Sequence, residues 1–155
     1  MKYCIRLASE SDLDDLCGIR NNKDLFICYF QQYEKNEVYL VIAELNKIIL
    51  GFGVLKLKGK LFPKLSDLYV NETYRGNGVG SNLIKYREKI ARDLGYTDLF
   101  VSVDPIENSK MIKLITKLGY KEVSEPYLKS AVFYNEDGTT YDKTYTRIDL
   151  KKVLN

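Results

Sequence analysis

The chain has 155 residues, enough for one domain that buries roughly 70% of its unfolded surface without disulfide staples. Hydrophobic residues at 45% and charged residues at 29% exclude intrinsic disorder. With 24 basic against 21 acidic side chains, the net charge is only +3, too small and too dispersed to mark a nucleic-acid or membrane-surface protein. The chain has no histidine, which removes Ser-His-Asp, Cys-His and histidine–metal mechanisms, and no metal is implied.

Cys4, Cys17 and Cys28 form no metal spacing, and their odd number argues against a disulfide framework. Their apolar neighbours predict buried free thiols in a reducing compartment. No run approaches the ~20 apolar residues of a membrane span, and the opening Met-Lys-Tyr-Cys-Ile-Arg lacks the apolar centre of a signal peptide. The expectation is a cytoplasmic protein with no membrane partner.

In chain order, Tyr3, Ile5 and Leu7 alternate as in a strand. Ser9 is an N-cap signal, with Glu10 and Asp12 in the first helical turn where the dipole favours acids. The acidic group Asp12, Asp14, Asp15 reads as a solvated helix start. Leu13, Leu16, Cys17 and Arg20 make one helical stripe, and Leu25, Phe26, Tyr29 and Phe30 a second. The apolar runs 38–43 and 48–57 flank Leu45-Asn46-Lys47 and predict a hairpin of long strands. Gly51 and Gly53 within the second run point to a bulge or a close backbone contact. A strand over 61–70 follows the Lys58-Gly59-Lys60 turn.

The period then changes. Val79, Leu83, Tyr86, Ile90 and Leu94 mark a helix stopped at Gly95, residues 99–103 a short buried strand, and Met111, Leu114, Ile115 and Leu118 a helix stopped at Gly119. Two strands near 129–135 and 141–150, joined through Asn135-Glu136-Asp137-Gly138, complete the chain. The C-terminal tyrosines Tyr127, Tyr134, Tyr141 and Tyr145 read as packing of that hairpin, with an acceptor pocket as the competing reading. The sum is a single α/β domain with a mixed sheet and helices on its faces.

The stretch that carries chemistry is Leu68-Tyr69-Val70-Asn71-Glu72-Thr73-Tyr74-Arg75-Gly76-Asn77-Gly78-Val79-Gly80. A strand ends at Val70, and a glycine-rich loop feeds directly into a helix. Glycines let backbone N–H groups converge on an anion, the helix start adds partial positive charge, and Arg75 adds a full one. This is a cradle for a pyrophosphate or another polyanion. A nucleotide-triphosphate loop needs Lys-Ser/Thr after its last glycine and a dinucleotide fingerprint needs a third glycine at position 81, where this chain has Ser81; both fail. A purely structural glycine turn stays open.

Arg75-Gly-Asn-Gly-Val-Gly80 resembles the R/Q-x-x-G-x-G/A signature of the GCN5-related N-acetyltransferase (GNAT) superfamily, and Leu68-Tyr69-Val70 resembles that family's fourth strand. Asn108, twelve residues before Tyr120 in Leu118-Gly119-Tyr120, resembles its Asn…Leu-Gly-Phe segment. The resemblance spans nearly the whole chain and implies a mostly antiparallel sheet with splayed central strands. It also implies acetyl-CoA as cosubstrate. The backbone of Tyr69 and Val70 would pair with the pantetheine arm, and the Val70 N–H would polarise the thioester carbonyl. Arg75, Gly76, Asn77, Gly78, Val79, Gly80 and Ser81 would hold the pyrophosphate, and Asn108 would hydrogen-bond the pantetheine.

The implied reaction is direct acetyl transfer to a primary amine of a small molecule, with no covalent enzyme intermediate. Asp67 matches an acidic strand position in polyamine-acetylating relatives and is the candidate base or substrate ligand, although the second acid those relatives often carry just before it is Ser66 here. Many relatives place a tyrosine acid seven residues after the asparagine. This chain has Ile115 there, which leaves Tyr120 as the nearest alternative acid. Ile115 motivates a second reading, a non-catalytic acyl-CoA-binding module; a third is a protein N-acetyltransferase. The sequence leaves self-association into a homodimer open.

Overall fold

The computed structural model describes residues 2–135 and 137–155. The chain forms two compact units, one running to Phe100 and including Val153–Asn155, the other Val101–Lys152.

The first unit is built on four antiparallel strands in the order β1 (Cys4–Leu7), β2 (Val38–Leu45), β3 (Ile48–Lys56) and β4 (Lys64–Val70). Its helices are α1 (Leu13–Ile19), α2 (Lys23–Glu34) and α3 (Val79–Asp93). The β2 and β3 runs are apolar at nearly every position because both sheet faces are covered. Leu40, Ile42, Phe52 and Val54 pack with Leu16, Phe26, Tyr29 and Phe30 of α1 and α2. Val41, Ala43 and Leu50 pack on the opposite face with Val79 and Leu83 of α3. Asn46 and Lys47, at φ 49° and 66°, give the β2–β3 hairpin the left-handed two-residue turn that matches strand twist.

Asp12 is not a solvated first-turn acid. It is buried, and its carboxylate takes Arg6 Nη1 and Nη2, each at 2.9 Å, and Ser9 N at 2.8 Å. Asp14 and Asp15 are exposed as expected. The expectation of buried thiols also fails: Cys4 and Cys28 are exposed and Cys17 is half-buried. Cys28 falls off the α2 stripe of Phe26, Tyr29 and Phe30 that enters the core. β4 begins at Lys64 rather than at residue 61, immediately after Pro63, which has no N–H to give a ladder.

β5 (Asp98–Val103) ends in the second unit, followed by α4 (Ser109–Lys117), β6 (Lys121–Glu122), β7 (Tyr127–Tyr134) and β8 (Thr140–Val153). β8 pairs antiparallel with β7 from Tyr127↔Arg147 to Tyr134↔Thr140, and with β6 at Lys121↔Lys151. β6 has only two residues, both exposed, so no periodicity announces it. The predicted turn 135–138 includes Glu136, which lies outside the described residues; Gly138 N donates to Asn135 O at 3.0 Å. Phe133 stacks on Tyr141 and meets Tyr145 edge-on, while Tyr127 and Tyr141 stay exposed. Among the described residues, no helix is long and apolar enough to cross a membrane.

Candidate active site

β4 carries one residue too many. Phe52 pairs with Tyr69 and Val54 with Ser66, so two steps on β3 oppose three on β4. The extra residue makes a β-bulge, a device that bends a strand and re-aims side chains. Asp67 sits in it with φ 47°, a left-handed conformation that aspartate tolerates better than most L-residues. Both β3 glycines serve this region. A Cβ at Gly51 would lie 2.6 Å from the Tyr69 carbonyl oxygen, and one at Gly53 would lie 2.6 Å from Arg87 Cζ. The fully buried Arg87 of α3 donates from Nη1 to Val54 O at 2.8 Å and to Ser66 O at 3.1 Å, on either side of the opened ladder.

The bulge points Asp67 to the face covered by α1 and α2. Arg20, just past the end of α1, donates from Nη1 to Asp67 Oδ1 at 2.5 Å. The hydroxyl of Tyr29, on α2, donates to Asp67 Oδ2. Burial, with the neighbouring Asp67 charge, pushes the Tyr29 phenol well above its usual range, so it stays a neutral donor. Tyr69 continues the same face, its ring stacked on Phe52 at a centroid distance of 6.0 Å. The result is a half-buried shelf with one anion, one cation and a phenol over an aromatic floor.

Asn71 N donates to Leu50 O at 2.8 Å, so the antiparallel alternation puts the N–H and C=O of Tyr69 toward β3 and those of Val70 away from it. Of the two backbones expected to meet pantetheine, Val70 is the one aimed off the ladder; Tyr69 contributes its ring. Arg75 folds back onto this strand end, its Nε donating to Val70 O at 2.8 Å and its guanidinium lying over the Tyr69 ring at 5.5 Å.

Beyond it the loop is open. Gly76 (φ 81°) and Gly78 (φ 79°) are left-handed, and a Cβ on either would touch nothing within 4 Å. Asn77 Nδ2 braces the turn on Tyr74 O at 3.1 Å. Gly78 caps α3 without a side chain, and the first turn, including Gly80 and Ser81, holds no acid. Backbone donors at a helix start with no competing carboxylate fit a pyrophosphate.

The second unit holds the remaining candidates. Asn108 is exposed at the N-cap of α4, and its side chain makes no cap hydrogen bond. Ile115 is fully buried, as its stripe predicts, and Tyr120 is 1% exposed with Lys152 Nζ over its ring at 5.7 Å. Such burial suits the packed aromatic that its Leu-Gly-Tyr position resembles.

Sequence reasoning missed Arg20, Tyr29 and Arg87 as site residues. Periodicity places Arg20 and Tyr29 on core stripes, and Arg87, four residues after Leu83 on the buried face of α3, carries no local motif. An arginine on an apolar face opposite two strand glycines was the available signal.

A sheet whose fourth strand bulges beside a charged shelf, then runs into an open glycine loop and a helix, is laid out as a cosubstrate-dependent group-transfer enzyme. A model of the acetyltransferase (GNAT) family matches residues 7–120, and the chain belongs to that family. It is thus an acetyltransferase, with acetyl-CoA as the family's cosubstrate. No curated protein sequence matches the chain. Among solved structures, it is similar to an N-acetyltransferase from Staphylococcus aureus Mu50 (22% identity, all of both chains covered, TM-score 0.77). It is also similar to a ribosomal-protein-alanine N-acetyltransferase from Brucella melitensis (19%, 97% of this chain and 99% of that one, TM-score 0.75). A third is a GNAT family acetyltransferase from Elizabethkingia anophelis with acetyl-CoA bound (18%, 98% of each chain, TM-score 0.68). At these identities the likeness is one of fold, mixed α/β with mostly antiparallel strands.

Proposed function

We propose that the chain acetylates a primary amine of a small molecule by direct attack on the acetyl-CoA thioester. The observation that carries this reading is the Arg20–Asp67–Tyr29 shelf, whose Asp67 is partly exposed on β4 three residues before the Val70 backbone that turns away from β3. In the reaction the amine nitrogen forms the new C–N bond, the C–S bond breaks and CoA leaves as thiolate; one ammonium proton passes to solvent water before attack, and the second N–H proton, lost as the amide forms, neutralises the thiolate.

The residue roles follow. The Val70 N–H polarises the thioester carbonyl. Gly76 to Ser81 hold the pyrophosphate, with Arg75 between strand end and phosphate. Asp67 already has a donor on each oxygen and retains lone pairs for a third, which supports an anchor for the acceptor's ammonium. A chain without histidine lacks the usual base that activates a cysteine for covalent acyl transfer, which favours direct attack.

The test is thiol release from acetyl-CoA across a broad panel of small primary amines, with mass detection of the products. Acetylated small amines are expected. CoA binding without release would favour the non-catalytic module, and labelling of proteins alone would favour the protein-modifying reading.

A further inference from the structure

The acceptor shelf pairs its anion with a cation. A site that only had to hold a simple ammonium would need the carboxylate alone; Arg20, touching Asp67 at 2.5 Å, weakens attraction for a lone cation and repels a second one. With Tyr29 held neutral by burial, the charges of these three side chains cancel. Arg20 spends Nη1 on Asp67, and its guanidinium is a flat fork of five N–H donors suited to bidentate carboxylate binding. Its side chain is 39% exposed and that of Asp67 22%, so a solute can reach both.

We propose that the acceptor is an amine that itself carries a carboxylate, one or two carbons from the nitrogen: an α- or β-amino acid. This rests on the amine-acetylation reading above. The ammonium sits on the free lone pairs of Asp67 and the carboxylate on the open edge of the Arg20 fork. Because the two protein groups touch, their complements must lie close together on the acceptor. That disfavours diamines, whose second cation meets Arg20, and long ω-amino acids, whose charges are too far apart. A peptide N-terminus and a protein lysine fit poorly for a different reason: the first presents an amide, and the second only a methylene chain, where the fork requires an anion.

The test uses the full chain saturated with CoA for binding, and with acetyl-CoA for turnover. Each of a set of amino acids is compared with its primary amide and its decarboxylated amine. A charge-assisted bidentate contact predicts at least about tenfold tighter binding, and an equal gain in kcat/KM, for at least one amino acid over its two analogues. Arg20→Gln should bring that amino acid down to the level of its amide, and Arg20→Lys should retain part of the gap; CoA binding checks that each variant is folded. If Arg20→Gln does not fold, the wild-type series and Arg20→Lys decide.

Equal binding of all three analogues, or a gap unchanged in Arg20→Gln, overturns the inference. Turnover of amines with no preference for the carboxylate also overturns it, while the amine-acetylation reading survives. A carboxylate-dependent binding gap without turnover has the opposite meaning: the Arg20 site stands and the catalytic reading falls.

Discussion

The guanidinium of Arg87 occupies the volume that a side chain at Gly53 would need, with Cζ 2.6 Å from the place of a Cβ. From there it reaches the Val54 and Ser66 carbonyls across the bulge, one residue from Asp67. The β3 glycine, the α3 arginine and the aim of the Asp67 carboxylate are thus one packing arrangement. Even the single methyl of Gly53→Ala must displace a buried, hydrogen-bonded cation. A loss of about 1–3 kcal/mol, the usual cost of overpacking a buried site, is expected, read as a drop in the urea midpoint. Arg87→Lys keeps the charge but loses the fork, and should cost roughly 1–3 kcal/mol. Neutral behaviour of Gly53→Ala would show that the bulge does not depend on this contact.

The glycine loop makes a prediction that separates strain from ligand binding. Gly78→Val places a β-branched residue at φ 79° with open space around it, so the fold should lose only about 1–3 kcal/mol of backbone strain. The rise in Tm that CoA gives the wild type, through mass action on the folded state, should disappear. Gly138→Ala is the control, since Gly138 is also left-handed at φ 86° but lies in the β7–β8 turn. It should lower the starting Tm and keep the CoA shift. A full CoA shift in folded Gly78→Val would refute the cradle.

Most of this frame was legible in the sequence because it is written in local patterns. The doubly apolar runs of β2 and β3, the Asn46-Lys47 turn, Gly95 and Gly119 past their helices, and the loop from Arg75 to Gly80 each depend on neighbours a few residues away. The shelf was not legible, because its contacts are long-range: Arg20 and Asp67 are 47 residues apart, and Tyr29 and Asp67 are 38. Periodicity assigns Arg20 and Tyr29 to a face but not to a partner. The bulge is likewise a mismatch between two strands, hinted at by Gly53 on β3 while its extra residue sits on β4. Asp12 misled for the same reason, since a first-turn acid looks solvated until the Arg6 of the preceding strand is placed over it.

That Arg6–Asp12 contact sets an acid-dependent part of the stability. Hydrogen bonding from Arg6 is the largest influence on Asp12 and holds its carboxyl below the ordinary value of 3.8. A depressed folded-state pKa contributes stability that is complete above the unfolded value and is lost as pH falls through the folded one. The Arg6 side chain is 38% exposed and shared with Glu44 at 2.7 Å, so solvent screening limits the contribution to about 1 kcal/mol. Chemical denaturation from pH 6 down to about pH 2 should show the Asp12→Asn variant less stable at the upper end, with the difference shrinking below about pH 4. A constant difference across the range would mean that Asp12 acts by shape rather than by charge.

The remaining prediction concerns what Asp67 does to the acceptor. Asp67→Asn keeps the side-chain shape, tolerates the left-handed backbone and can still accept from Tyr29, so the bulge should survive. It removes the charge that pairs with Arg20 and, in the proposed site, with the acceptor's ammonium. An anchoring role predicts a KM for the amine raised by on the order of tenfold or more, with kcat nearly intact and the KM for acetyl-CoA unmoved. A proton-accepting role predicts the reverse division: kcat lower by on the order of 10²-fold at neutral pH, with the deficit shrinking at high pH, where the acceptor is already a free amine. Because each Asp67 oxygen already receives a hydrogen bond, the first pattern is expected. Steady-state kinetics with both substrates varied, at neutral pH and again near pH 9.5, separates the two. A large kcat loss that recovers with pH would give Asp67 the proton and leave Arg20 alone to orient the acceptor.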